Sequence, residues 1–207
     1  MDLHLWLTFV VASVALLLIP GPTILLVLSY AISHGRKVAV ATAAGVAVGD
    51  LIAMSASLAG LGALVLASAT LFTVLKWVGA VYLVWLGIKL LRSSGSAALD
   101  EPADTQPANS IFRHAAAVTA LNPKSIVFFI AFVPQFLDPG QPLLPQFAIL
   151  IATFVSLAAL NALAYALLAD RMRTAISQQG ILTWLSRAGG GALIAMGLAT
   201  AFVRKST

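Results

Sequence analysis

The sequence has little charge and no cysteine. Only 9% of its 207 residues are charged and 60% are hydrophobic, whereas a soluble globular chain is about 25% charged and roughly 45–50% apolar. A chain of this composition has too little polar surface to cover a water-soluble domain. This excludes the soluble-enzyme classes and indicates an integral membrane protein. The absence of cysteine excludes disulfides, thiol catalysis and cysteine metal sites.

Motifs of familiar catalytic and metal sites are also missing. The three histidines, His4, His34 and His114, are scattered along the chain, so no spacing suits a metal ion. There is no phosphate-binding loop, catalytic triad or paired-carboxylate motif, and we predict neither a cofactor nor catalysis. The net charge is +5, but the basic residues lie at the ends of apolar runs and not on one face. This distribution argues against nucleic acid as a partner.

Long uncharged runs fill most of the chain, and residues 5–33 and 139–169 contain no charged side chain. A membrane-spanning helix needs about 20 apolar residues, while barrel strands alternate over segments of about 10, so these runs predict an all-α protein. Six spans fit, at about 5–33, 38–66, 71–91, 112–137, 143–169 and 182–203. They form a single polytopic membrane domain over residues 1–207, with a polar linker at about 92–111.

The positions of the basic residues predict the orientation in the membrane. Three loops on one side carry or adjoin most of them: Arg36, Lys37, Lys89, Arg92, Arg113, Arg171 and Arg173. Because cytoplasmic loops are enriched in Lys and Arg, we expect this side, including the linker, to face the cytoplasm and both termini to lie outside. The first apolar run has no basic segment before it and is too long for a signal-peptide core, so we expect it to be a retained span.

A weak internal repeat relates the two halves of the chain, at about 1–92 and 112–207. Gly45 and Asp50 match Ser156 and Asn161 at an offset of 111, and a proline-containing break interrupts spans one and four. Three spans per copy require the second copy to be inverted. Inverted repeats with paired broken helices are typical of secondary transporters, whose binding site lies at the repeat interface. Chance matches remain the alternative, because glycine is common in membrane helices.

The two breaks are the first candidates for a site. They consist of Pro20, Gly21 and Pro22, followed by Thr23, in span one, and of Asn122, Pro123 and Lys124 in span four. A proline removes a backbone N–H and blocks the carbonyl one turn earlier, and such a break persists in lipid only where protein or water satisfies the backbone. Each break is either a packed kink or an unwound segment that exposes backbone groups to a ligand. We expect the two breaks to approach each other near the bilayer centre.

Two charges lie deep within predicted spans. Lys124 is about twelve residues from either end of span four, which is about 18 Å along a helix and too far for easy snorkelling. Asp50 lies about twelve residues into span two. Charges at such depth are costly and are usually functional. Asp50 and Lys124 form either a structural ion pair or a site for a cation, a proton or a ligand ammonium.

Small residues accompany Asp50 at every fourth position: Ala41, Gly45, Gly49, Ala53 and Ser57. This pattern predicts close contact with another helix, so Asp50, beside it, should point into the helix bundle. Asn161 in span five either makes an interhelical hydrogen bond or contributes to the site.

Taken together, these motifs resemble the LysE/RhtB family of amino-acid exporters. The resemblance lies in residues 19–22, 33–36, 45–50, 121–124 and 134–136, in the same order as in the family. It implies a six-span bacterial inner-membrane protein that exports amino acids or close relatives by proton antiport. This chain has Ile19 and Thr23 where the family resemblance leads us to expect Thr and Asn, so the resemblance does not carry over a particular substrate.

A zwitterionic amino acid needs partners of both signs in a cavity of low dielectric, and Asp50 and Lys124 supply them. The candidate substrate-binding or ion-binding residues are Asp50, Lys124, Asn122, Pro20, Gly21, Pro22, Thr23, Gly45, Gly49 and Asn161. The expected partners are a small amino acid, protons, membrane lipids and a second copy of the chain in a homodimer. A membrane enzyme that acts on lipid or polyprenyl phosphate and a non-transporting scaffold are the alternatives.

Overall fold

The structure is a computed structural model that describes residues 1–19, 21–67, 69–92, 107–138 and 140–176, with five isolated positions between 187 and 198. All regular structure in these residues is helical, which confirms the predicted all-α class for this part of the chain. The helices are α1 (Leu3–Leu18), α2 (Pro22–His34), α3 (Ala39–Ala67), α4 (Ala69–Arg92), α5 (Ala108–Ala120), α6 (Pro123–Val127) and α7 (Leu143–Ile176). A 3₁₀ turn, Gly35–Val38, joins α2 to α3, and a π-helical turn, Phe128–Phe132, and a 3₁₀ turn, Val133–Phe136, follow α6.

Both predicted breaks separate two helices. Gly21 is the N-cap of α2 and Pro22 occupies its first turn, a position where proline's missing N–H costs nothing and its fixed φ suits a helix. The second break follows the same rule, because Asn122 caps α6 through its side chain and Pro123 begins the helix. The segment Pro123–Phe136 is bent by 41° from α5.

Helical stretches Pro22–Gly60 and Leu143–Ala169 are long and apolar enough to cross a membrane. The bent pair of Ala108–Ala120 and Pro123–Phe136 would be a third such span if it is counted as one. The count of six spans and the inverted repeat stay predictions. Predicted span six and linker residues 93–106 fall outside the residues that the structure describes, apart from the isolated positions.

Two boundaries differ from those predicted. Helix α7 continues to Ile176, so Arg171 and Arg173 lie on a helix and not in a loop. Helix α5 already begins at Ala108, within the predicted linker. The pattern of apolar residues cannot locate the start of α5 or the end of α7. A helix can continue beyond its apolar run through polar residues, because their backbone groups remain hydrogen-bonded.

A phenylalanine cluster joins α1 to the second break and to α7. Phe9 of α1 meets Phe136 with ring centroids 5.4 Å apart, and Phe129 of the π-helical turn meets Phe154 of α7 at 4.8 Å. Both pairs have the edge-to-face geometry that aromatic rings favour. Phe9, Phe129 and Phe154 are completely buried, so this cluster fixes the broken helices relative to α7.

The predicted stripe of small residues on α3 packs against α5. A Cβ atom built on Gly45 would lie 2.5 Å from the carbonyl oxygen of Phe112, and one on Gly49 would lie 2.6 Å from that of Ala116. Such distances leave no room for any side chain. The close helix contact predicted for this stripe is therefore confirmed at both glycines, and it brings Asp50, the next residue on α3, towards the second break.

Candidate functional site

The two helix breaks meet. Asn122 Nδ2 donates a hydrogen bond to Thr23 Oγ1 at 3.1 Å, and Thr119 Oγ1 lies 3.4 Å from the same oxygen. Thr23 and Asn122 are both buried, so these polar groups satisfy one another inside the protein, as buried polar groups must. The predicted approach of the breaks is confirmed, while their depth in the bilayer stays a prediction.

Lys124 caps the C-terminal end of α1. Its Nζ donates to the carbonyl oxygens of Leu16 at 3.1 Å and Ile19 at 3.0 Å. In an unbroken helix the Leu16 carbonyl would accept from residue 20, but Pro20 has no N–H to give. The last carbonyls of a helix carry partial negative charge, which favours a cation at that position. The lysine ammonium is therefore accommodated by the defect that the first break creates.

Helix α7 satisfies two further carbonyls at the end of α1. Asn161 Nδ2 donates to the Leu17 oxygen at 3.0 Å, and the Tyr165 hydroxyl donates to the Leu18 oxygen at 3.2 Å. The two side chains are one turn apart on the same face of α7. The interhelical hydrogen bond considered for Asn161 is thus present. Tyr165 was not predicted as a site residue, although a tyrosine within an apolar run usually needs a hydrogen-bond partner when it is buried.

Asp50 is buried without a hydrogen-bond partner at one carboxylate oxygen. Its side chain is 2% exposed, and Oδ1 contacts no donor. The described contacts of Lys124 Nζ are with main-chain carbonyls and not with this carboxylate. The direct ion pair considered for Asp50 and Lys124 is therefore not formed in this conformation. An unpaired acceptor in an apolar interior is costly, and Oδ1 retains an unmet capacity to accept a hydrogen bond.

Asp50, Lys124 and both breaks line one cavity of about 20 Å³. Its lining residues are Leu16, Leu17, Gly21, Thr23, Ile24, Val46, Asp50, Asn122, Lys124, Ser125, Ala158 and Asn161. This lining combines one acid, one base, amide and hydroxyl groups, and apolar walls. A polar cavity of this size accommodates about one water molecule. The lining also includes both Asp50 and Asn161, one of the pairs that the predicted internal repeat matches.

Six of the ten predicted site residues line this cavity, three others lie elsewhere, and one falls outside the described residues. Gly45 and Gly49 serve the contact between α3 and α5, and their neighbours Val46 and Asp50 face the cavity. Pro22 begins α2 with an exposed ring. Pro20 lies outside the described residues. Among the described residues, no group of three or more His, Asp or Glu side chains is placed to hold a metal ion.

Comparison with known proteins decides the family. Residues 14–205 match the LysE type translocator family. The chain belongs to this family. Membership confirms the resemblance predicted from the sequence, and together with the apolar helices it identifies a membrane transport protein.

Relatives of this LysE type translocator match along most of its length. A homoserine/homoserine lactone efflux protein of Salmonella typhimurium is 36% identical over 204 residues, which cover 99% of each chain. An uncharacterized membrane protein of Vibrio cholerae is 33% identical over 96% of this chain and 97% of its own. A leucine efflux protein of Klebsiella pneumoniae is 37% identical over 134 residues, 64% of this chain and 63% of its own. No solved structure matches.

Proposed function

We propose that this LysE type translocator is a secondary transporter that exports amino acids or closely related metabolites across the bacterial inner membrane by proton antiport. The observation that carries the proposal is the buried, unpartnered Oδ1 of Asp50 in the cavity that Lys124 and both helix breaks line. The names of the relatives, homoserine/homoserine lactone efflux protein and leucine efflux protein, supply the first substrates to test.

The site offers an amino acid both signs of charge. The carboxylate of Asp50 can accept hydrogen bonds from the substrate ammonium, and the cationic end of the cavity, at Lys124, attracts the substrate carboxylate. After the ammonium leaves, a proton takes its place on Asp50, because a bare carboxylate in an apolar interior is unfavourable. A carboxylate that accepts either the substrate or a proton, but not both, couples their movements in opposite directions.

The cavity must enlarge during transport. Its volume of about 20 Å³ suits one water molecule, whereas an amino acid has several non-hydrogen atoms. The conformation described here is therefore closed around the site. The two breaks provide places where the half-helices can change their relative orientation, which is the movement that alternating access requires.

The two other functions considered from the sequence are less well supported. A membrane enzyme that acts on lipid or polyprenyl phosphate needs reactive groups that a headgroup can reach, whereas Asp50 is buried among helices. Burial of an unpartnered carboxylate lowers the stability of a protein. A scaffold without transport activity would gain no function that offsets this loss.

Transport by the purified protein tests the proposal. Liposomes that contain the protein are loaded with radiolabelled leucine or homoserine, and a proton gradient, acidic outside, is imposed. We expect efflux that depends on the protein and is accelerated by the gradient, with proton entry reported by a trapped pH-sensitive dye. Asp50→Asn should abolish both movements, whereas Asp138→Asn, a change in the turn before α7, should leave them intact.

The outcomes separate the possibilities. Efflux whose rate does not depend on the proton gradient would disprove antiport, but it would still support export. Absence of protein-dependent efflux for a panel of all the common amino acids would overturn the proposed function. Release of labelled product from added lipid or polyprenyl phosphate in the same liposomes would favour the enzyme instead.

A further inference from the structure

The first turn of α2 presents unused hydrogen-bond donors to the cavity. This helix begins at Pro22 after the N-cap Gly21, and no side chain caps it. Pro22 has no N–H, and the N–H groups of Thr23 and Ile24 have no partner within the helix, whose first backbone hydrogen bond runs from Leu25 to Gly21. Gly21, Thr23 and Ile24 all line the cavity, so the positive end of a 13-residue helix faces it. Helix starts of this kind bind carboxylates and phosphates.

Two side chains add donors at the same place. Asn122 Nδ2 can only donate, so Thr23 Oγ1 accepts in that contact and keeps its own proton to donate. Lys124 Nζ uses two hydrogen atoms on Leu16 and Ile19 and has a third. Its distance from a Cβ atom built on Gly21 would be 3.3 Å. The donors of the helix start, Thr23 and Lys124 therefore converge on one end of the cavity.

A separate observation indicates what this end receives. Asp50, also in the lining, is an almost completely buried acceptor whose Oδ1 has no partner. The cavity therefore combines donors that have hydrogen atoms to spare and an acceptor, Asp50 Oδ1, that has no donor. An α-amino acid carries a carboxylate and an ammonium on one carbon, which matches this combination.

We propose that the N-terminus of α2 and the Thr23 hydroxyl form a subsite for the α-carboxylate of the substrate, with Asp50 holding the ammonium. The proposal rests on the proposed export function and makes Thr23 a determinant of specificity. It predicts that the protein distinguishes a free amino acid from the same molecule with its carboxylate blocked. Leucine suits the test, because Leu16, Val46 and Ala158 give the cavity apolar walls.

The test compares leucine with leucinamide, and homoserine with homoserine lactone, as substrates of the protein in liposomes. Thr23→Val removes the hydroxyl at nearly constant volume. We expect it to raise the KM for leucine and homoserine about tenfold, the effect of one hydrogen bond to a charged group. The KM for leucinamide and for homoserine lactone should change less than twofold. Thr23→Ser, which keeps the hydroxyl, should restore the discrimination.

Thr42→Val is the matched control. Thr42 is also a buried threonine, but its hydroxyl donates to the carbonyl oxygens of Val38 and Ala39, which lie one turn earlier in the chain. This variant should leave all four KM values unchanged. If Thr23 had only a structural role through Asn122, Thr23→Val would weaken both members of each pair equally, and that result would overturn the carboxylate subsite.

The same assay distinguishes failure of the subsite from failure of the proposed function. Transport of leucine or homoserine with no selective effect of Thr23→Val would disprove the subsite alone. If the wild-type protein moves none of the four probes and no other amino acid, both proposals fall.

Discussion

Lys124 Nζ donates a hydrogen bond to the carbonyl oxygen of Leu16, 108 positions earlier in the chain, at 3.1 Å. The contact places a cation from the second break at the C-terminal end of the helix that the first break terminates. Each break thus supplies what the other lacks. The first leaves carbonyls at the end of α1 without their usual helical donors, and the second brings a partly buried ammonium that needs acceptors, a requirement that lipid cannot meet.

Removal of the Tyr165 hydroxyl should destabilise the end of α1. Tyr165→Phe leaves the Leu18 carbonyl without the donor that now lies 3.2 Å away, and a buried acceptor without a partner costs about 1–3 kcal/mol. We expect a corresponding decrease in the free energy of unfolding in detergent micelles. Tyr82→Phe is the control, because the described contact of Tyr82 is with the Trp85 ring. Equal losses in both variants would contradict this role for Tyr165.

Asp50→Asn should abolish export and leave the protein as abundant in the membrane as the wild type. Lys124 keeps its two carbonyl acceptors when the carboxylate is neutralised, so the ammonium does not lose a hydrogen bond. Asparagine cannot bind a proton or balance an ammonium, and coupling is lost. Abundance is measured by immunoblotting of membranes, and export is measured in the same vesicles.

The double variant Asp50→Asn with Lys124→Met distinguishes a transport role of Asp50 from a purely structural ion pair between Asp50 and Lys124. Loss of the ammonium leaves the Ile19 carbonyl without its described donor, at about 1–3 kcal/mol, whereas the Leu16 carbonyl still accepts from the Ile19 N–H at 3.3 Å. We therefore expect the double variant to be less abundant than Asp50→Asn. If instead Asp50→Asn were depleted and Lys124→Met restored it, the two charges would be a structural pair.

A methyl group on Gly49 should disrupt the contact between α3 and α5. The added Cβ atom would lie 2.6 Å from both the Ala116 carbonyl oxygen and the Thr119 Cβ. Overpacking of this kind costs about 1–3 kcal/mol. Gly60→Ala, on the same helix but with no atom within 4 Å of the new Cβ, is the matched control. The prediction fails if thermal unfolding of the two variants is shifted equally.

The predicted orientation can be tested with reporter fusions. Because the basic residues cluster on one side of the predicted spans, a reporter inserted at Ser96 should be active in the cytoplasm. A reporter after Thr207 should be active only outside it. A cytoplasmic signal at the C-terminus would contradict the six-span arrangement with external termini.

Much of the local structure could be predicted from the sequence, because it depends on short-range chemistry. Pro20 and Pro22 deny α1 the donors that would continue it, and Asn122 with Pro123 begins a new helix by the same rule. The spacing of Gly45 and Gly49 identified a face suited to close helix contact. It did not identify the partner helix, since small residues permit close approach to any backbone.

The sequence by itself determined the helical class, the breaks, the position of Asp50 and Lys124 within long apolar runs, and the family to which the chain belongs. Only the tertiary structure decided which groups satisfy the broken ends. Lys124 binds carbonyl oxygens and not Asp50, Tyr165 joins the site, and Gly45 and Gly49 leave it. The physical reason is that orphaned backbone groups can be satisfied by any nearby side chain of suitable polarity, and proximity across more than 100 positions is set by helix packing and not by local pattern.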